Sequence, residues 1–225
     1  SEKTTSDYQR EFRQLSMEMG DVRNMDEWAD LYQKLLNWEL KLDELDDPGL
    51  KEILSMQKRE ANELFSKFIQ RDYEDWIAGD EDAPLLSHQV FNTKVGPLLR
   101  NGKKVYFIVI DNLRMDQWKI IYPEISKYFH LTDEDWFSSI LPTATQYARN
   151  AMFAGLLPGD IKKKHPQHWV DENQEEGKNL HEESLLGLQL KRLGFADTKY
   201  SYNKITNLRA GKKLVDNFSN LKPKL

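Results

Sequence analysis

Two polar residues of the sequence stand directly after apolar segments, where catalytic side chains are often found. Asp111 follows residues 105–110, a run of six β-prone apolar residues, and Thr145 follows residues 136–141 at the start of a helical pattern. In open α/β sheets, reactive groups lie beyond the carboxyl ends of the strands. A carboxylate and a hydroxyl at neighbouring strand ends can hold one divalent cation, which would stabilise a threonine alkoxide.

The same two residues also have an ordinary structural interpretation. Aspartate at a strand end and threonine before a helix are common capping residues, and spacing alone favours that role. The helix predicted to start near Gln146 would add backbone N–H groups and the positive end of its dipole, which favour a bound phosphate. Spacing by itself therefore leaves two interpretations open, a phosphate-handling site and a pair of caps.

The segments around these residues alternate between strand and helix patterns. Residues 105–110, 136–141 and 195–202 have the composition of strands, and the first run suits a strand buried on both faces of a parallel sheet. Helical spacing lies between and after them, over residues 116–128, 146–156, 182–193 and 208–218. Strands that alternate with helices predict an α/β domain over residues 84–225.

The first 83 residues carry a different pattern. Apolar residues recur at spacings of three and four along three segments, and the central stripe consists of Trp28, Leu31, Leu35, Trp38, Leu42 and Leu45. Turn residues at 46–49 end this stripe. We expect an N-terminal three-helix bundle over residues 1–83, separated from the α/β domain by the acidic, proline-closed segment 80–84. Such bundles are typical of spacers and of docking or dimerising elements.

Composition excludes several classes of protein. The 225 residues are 39% hydrophobic and 11% aromatic, which excludes a disordered tail, and no apolar run approaches the ~20 residues that span a bilayer. Cysteine is absent, which excludes a disulfide framework, a zinc ribbon and a thiol nucleophile and makes a reducing cytoplasm the expected location. Residues 1–83 carry a net charge of −11 and residues 84–225 a net charge of +6, so the basic part is the better candidate for an anionic substrate.

Two motifs give the second half a family resemblance. The first is an apolar strand that ends in Asp111-Asn112, and the second is Pro142-Thr143-Ala144-Thr145 followed by Arg149 and a helix that closes with Gly155-Leu156-Leu157-Pro158. Residues 105–158 resemble the start of a PglZ domain, a family of the alkaline phosphatase superfamily. The bundle and residues 201–211 are similar to one group within it, the PorX-like response regulators of two-component systems, which are linked to type IX secretion.

This resemblance implies specific roles. Asp111 matches the family's first metal-binding aspartate, and Thr145 matches a nucleophile that also ligates a metal; Asn112, Arg149 and Asn150 are close enough in sequence to contact the phosphate. The family typically binds two zinc ions and cleaves phosphate esters, which makes the parent protein a phosphodiesterase or phosphatase acting on nucleotides or oligonucleotides. Lysines 162–164, with Lys204, Arg209, Lys212 and Lys213, could guide such a polyanion.

The sequence also departs from the family pattern. A PorX-like chain starts with a receiver domain that is phosphorylated by a histidine kinase, and the superfamily's remaining aspartate and histidine ligands follow later strands. None of the five histidines offers a replacement. We therefore expect a fragment with an incomplete metal site and little catalysis of its own. The alternative hypothesis is a signalling scaffold that dimerises or binds a sigma factor or a secretion component through its helical bundle.

Overall fold

The computed structural model describes residues 2–45, 47–171, 177 and 179–218. The α-helices of these residues are α1 (Glu2–Asp21), α2 (Met25–Asp43), α3 (Pro48–Ala78), α4 (Gly96–Arg100), α5 (Met115–Ile125), α6 (Thr145–Ala154), α7 (Pro158–Lys164), α8 (Glu182–Arg192) and α9 (Leu208–Asp216). Short 3₁₀ turns at Ser87–Gln89 and Pro166–His168 and a π-turn at Phe91–Val95 complete the regular structure. Across the described ranges, no helix is long and apolar enough to span a membrane.

The predicted α/β architecture is wrong for this chain. The described residues contain helices and irregular segments but no strand or sheet, so the fold is all-α. Residues 105–110 are extended, yet the side chains of Tyr106, Ile108 and Ile110 are 64%, 77% and 54% exposed. Between them, Phe107 packs against Phe91 and Phe153. Within residues 105–110, Phe107 is thus covered by aromatic side chains, while the backbone makes no strand pairing with the other described residues.

The other two predicted strands differ from the prediction for a related reason. Residues 136–141 contain one isolated bridge residue, Ser138, whose backbone N–H donates to the carbonyl of Leu85 at 2.7 Å, and residues 195–202 are irregular. In the first of them Ile140 is buried, but its backbone N–H donates to the hydroxyl of Ser87 at 3.0 Å. A side-chain acceptor here replaces the carbonyl of a neighbouring strand, so burial of an apolar residue is achieved without a sheet.

Two compact units divide the described residues. The first combines the described residues of 1–85 and 109–138, and the second combines those of 86–108 and 139–225. The division that the sequence suggested after residue 83 stays a prediction.

The first unit contains the bundle of α1, α2 and α3. Both later helices begin at side-chain caps: Asn24 accepts from the backbone N–H of Glu27, and Asp47, in the predicted turn at residues 46–49, accepts from that of Leu50. The apolar stripe of α2 is buried from Trp28 to Leu42. Its two tryptophans contact aromatic residues of the other helices, with Trp38 against Tyr8 and Trp28 against Phe65. The helical periodicity and the turn residues therefore predicted these elements correctly.

The second unit is organised around the pair α6 and α8. Ala151, Ala154, Leu185 and Leu190 are buried between elements of this unit. Helix α6 ends at Gly155, whose φ of +62° is left-handed. Glycine is favoured by this backbone conformation, and a Cβ here would lie 2.1 Å from Oε1 of Gln189 and displace that side chain.

Candidate functional site

Asp111 and Asn112 form a turn after the extended segment 105–110. Both side chains are exposed, and Asn112 has a φ of +58°, a left-handed conformation that asparagine tolerates better than most residues. The turn belongs to the first unit. It leads into α5, where Arg114 bonds both carboxylate oxygens of Asp116 at 3.0 Å and holds the pKa of that carboxyl below its usual value.

Thr145 is the first residue of α6 in the second unit. The residue before it, Ala144, caps the helix with its carbonyl, which accepts from the backbone N–H groups of Tyr147 and Ala148 at 2.9 and 3.0 Å. The Thr145 side chain is half-buried and stands at the helix terminus that carries partial positive charge. This is a favourable location for negative charge that develops on the hydroxyl oxygen or on a nearby phosphate.

Arg149 and Asn150 lie one turn further along α6. Arg149 follows Thr145 by four residues and therefore shares its face of the helix. Asn150 is buried, and its amide donates to the carbonyl of Gln146 at 2.8 Å. The structure thus places three of the five predicted site residues on one helix of the second unit. Asp111 and Asn112 lie in the first unit, and their sharing of a cation with Thr145 stays a prediction.

A buried ionic network surrounds Arg149 that the sequence did not predict. The Nε of Arg149 donates to Oε1 of Glu182, and the hydroxyl of Tyr202 donates to Oε2 of the same carboxylate. Glu182 is only 2% exposed, and the Arg149 side chain is 17% exposed. Burial raises the pKa of the Tyr202 phenol, and its hydrogen bond to Glu182 adds to that rise, so the phenol stays protonated as a donor. We call these three residues the Glu182 network.

Residues that could bind a metal are scattered in this structure. Among the described residues, no three histidine, aspartate or glutamate side chains form a group that could hold a metal ion. The closest approach of two histidine rings is between His168 and His181, whose centroids are 5.3 Å apart. Burial and the neighbouring charges of His181 and His165 lower the pKa of His168. The described part of the chain therefore does not supply a complete zinc site.

Two known protein families together match most of the sequence. Residues 1–77 match the PorX response regulator linker domain, and residues 90–219 match the BREX system PglZ alkaline phosphatase-like domain. The second match contains Asp111, Thr145 and the Glu182 network. No curated protein matches the chain.

Proposed function

The chain belongs to the PglZ alkaline phosphatase-like family, whose match spans more than half of the sequence, and from this membership we propose that the protein hydrolyses phosphate esters with Thr145 as the nucleophile. The chain joins this domain to a PorX response regulator linker. The observation that carries the proposal is the location of Thr145, a hydroxyl at the first position of a helix inside the matched domain.

The proposed reaction has two displacements at phosphorus. The Thr145 oxygen attacks, the bond between phosphorus and the ester oxygen breaks, and the alcohol leaves with a proton. Water then cleaves the phosphothreonine and returns the hydroxyl to Thr145. The N-terminus of α6 favours the negative charge that develops during attack. Asn112, Arg149 and Asn150 are the proposed phosphate contacts, although Arg149 and Asn150 also bind the protein itself.

Zinc is the proposed cofactor, with Asp111 and Thr145 as its ligands from this chain. A carboxylate and a hydroxyl oxygen are suitable donors for zinc, but they are two donors where such sites use three or four. When bound, the ion would supply a Lewis acid that lowers the pKa of the threonine hydroxyl.

The proposed substrates are nucleotides or oligonucleotides, cleaved as phosphodiesters. Lysines 162–164 form the last turn of α7 and give this region of the second unit a positive charge. The PorX linker match supports a regulatory setting for residues 1–77, in which a receiver domain phosphorylated by a histidine kinase controls the hydrolase. A sigma factor or a type IX secretion component is the proposed downstream partner.

Replacement of Thr145 tests the proposed chemistry. In the full-length protein, Thr145→Ala should lower kcat for a chromogenic phosphodiester on the order of 10³-fold or more, because no other group supplies the attacking oxygen. Thr143→Ala is the matched control, since it removes the same hydroxyl two residues earlier, outside the helix, and should leave kcat within about twofold. Turnover by Thr145→Ala at the wild-type rate would exclude the mechanism.

A further inference from the structure

Glu182 is a glutamate whose side chain is almost fully buried. Both of its carboxylate oxygens are used by protein donors, one by Arg149 and the other by Tyr202. Glu182 is also the first residue of α8, where the helix dipole favours a negative charge. A buried carboxylate is tolerated only when it is paired and hydrogen-bonded, and here each requirement is met by a different segment of the second unit. The Glu182 network therefore ties α6, α8 and residue 202 together.

Helix α8 also binds the opposite end of α6. The Gln189 side chain is buried and donates to the carbonyls of Met152 and Phe153 at 3.0 and 2.8 Å. One turn later, the guanidinium of Arg192 donates to the carbonyl of Ala154. These are carbonyls of the last turn of α6, which lack partners within the helix. Polar groups of α8 thus bind the middle of α6, at Arg149, and its C-terminal turn, in the same order along the two helices.

This attachment bears on the orientation of Thr145, together with the ring contact between Tyr147 in the first turn of α6 and Trp169. Helix α6 has ten residues, too few to be stable or to hold an orientation without its tertiary contacts. The Glu182 network contacts α6 through Arg149, which lies one turn after Thr145 and shares a helix face with it. Rotation or fraying of this first turn would move the Thr145 hydroxyl, and a displacement of about 1 Å at a reacting group can cost on the order of 10² in rate.

We propose that Glu182 and Tyr202 are positioning residues, which hold the first two turns of α6 through Arg149 and thereby orient the Thr145 hydroxyl. This inference rests on the proposed role of Thr145 as nucleophile. It assigns to Arg149 a role in orientation that is separate from direct contact with phosphate.

The residue pair Tyr202 and Tyr200 allows a matched test in the full-length protein. Tyr202→Phe removes only the hydroxyl that donates to Glu182 and keeps the ring, which packs against Phe153 at 5.9 Å. Tyr200→Phe removes a more exposed hydroxyl that donates to the carbonyl of Glu183 at 3.3 Å. The two substitutions are chemically identical and both alter a contact with the first turn of α8, but only one touches the Glu182 network.

Kinetics then tests the effect on catalysis, and hydrogen exchange tests the effect on the first turns of α6. Tyr202→Phe should lower kcat about tenfold or more with KM within about twofold, measured at a temperature where both proteins remain folded. It should also speed exchange of the Tyr147 and Ala148 amides, while the Gly155 amide at the far end of α6 keeps its protection. Tyr200→Phe should match the wild type in both measurements.

Two results would overturn the positioning role. One is wild-type kcat and wild-type exchange in Tyr202→Phe. The other is faster exchange along the whole of α6 and α8 with kcat reduced only by the unfolded fraction, which is the signature of a general loss of stability. If Thr145→Ala is as active as the wild type, the proposed function itself fails. The exchange measurement then still decides whether the Glu182 network holds the first turns of α6.

Discussion

Removal of the arginine from the Glu182 network should destabilise the second unit strongly. Arg149→Met keeps most of the aliphatic volume but leaves the carboxylate of Glu182 buried without its cation. Removing one partner of a buried ion pair typically costs about 3–5 kcal/mol. The Arg149 side chain retains some exposure, and Tyr202 still donates to the carboxylate after the substitution. We therefore expect a somewhat smaller loss, about 2–4 kcal/mol of unfolding free energy at pH 7.

Urea unfolding followed by circular dichroism measures this loss. With a slope of about 2–3 kcal/mol per molar urea, the midpoint should fall by roughly 1 M while the slope is unchanged. Lys162→Met is the control within the same unit: Lys162 pairs with Asp171 at 2.7 Å, but the two side chains are 60% and 61% exposed. Exposed pairs contribute little, so this midpoint should change by less than the equivalent of ~0.5 kcal/mol.

A double variant separates the effect of the unpaired buried charge of Glu182 from the other effects of Arg149→Met. Glu182→Gln, introduced together with Arg149→Met, removes the buried negative charge while an amide remains to accept from Tyr202. Its unfolding free energy should exceed that of Arg149→Met alone by about 1 kcal/mol or more. If Arg149→Met unfolds at the wild-type midpoint, or if the double variant recovers nothing, the ion pair does not stabilise the unit and the electrostatic argument fails.

Two further changes in stability follow from buried polar groups. The Tyr8 side chain is 1% exposed, its hydroxyl has no hydrogen-bond partner among the described residues, and burial raises its pKa to about 12. Tyr8→Phe should therefore raise stability by about 1 kcal/mol in thermal unfolding, and a lower melting temperature would contradict this. Burial lowers the pKa of His88, although the negative charge of Asp160 acts in the opposite direction. The unfolded state therefore binds a proton near pH 6.5 more readily than the folded state does, and the unfolding free energy should fall as the pH drops below about 7. His88→Gln should flatten this fall in urea titrations between pH 7.5 and 5.5, and an unchanged pH profile would contradict it.

Most of the helices could be predicted because their signals are local, but the seven-residue α7 was not predicted. Periodic apolar residues identified the helices of the first unit, and Asn24 and Asp47 cap α2 and α3 through side chains that belong to the turns themselves. Gly155 ends α6 for an equally local reason, its left-handed backbone conformation. Each of these signals acts within a few residues of the element that it determines.

The predictions that were wrong concern features that depend on residues far apart in the sequence. Residues 105–110 are apolar enough for a buried strand, but a strand exists only when other backbone segments pair with it, and apolarity does not specify those partners. The Glu182 network was missed for the same reason, since Arg149 and Tyr202 are 33 and 20 residues from Glu182. A glutamate at a helix start predicts an exposed residue that interacts with the helix dipole, and nothing nearby in sequence indicates that it is buried.

The ion pair also limits what Arg149 can offer to a phosphate. An isolated guanidinium would attract a dianion with its full charge, but Glu182 lies in direct contact with it and cancels most of that field at longer distances. With Tyr202 neutral, the Glu182 network carries no net charge. The attraction for the proposed anionic substrate then comes mainly from the N-terminus of α6, from lysines 162–164 of α7 and from any cation bound beside Thr145. Arg149 can still donate directional hydrogen bonds at short range and orient the helix. Both effects contribute more to kcat than to substrate affinity.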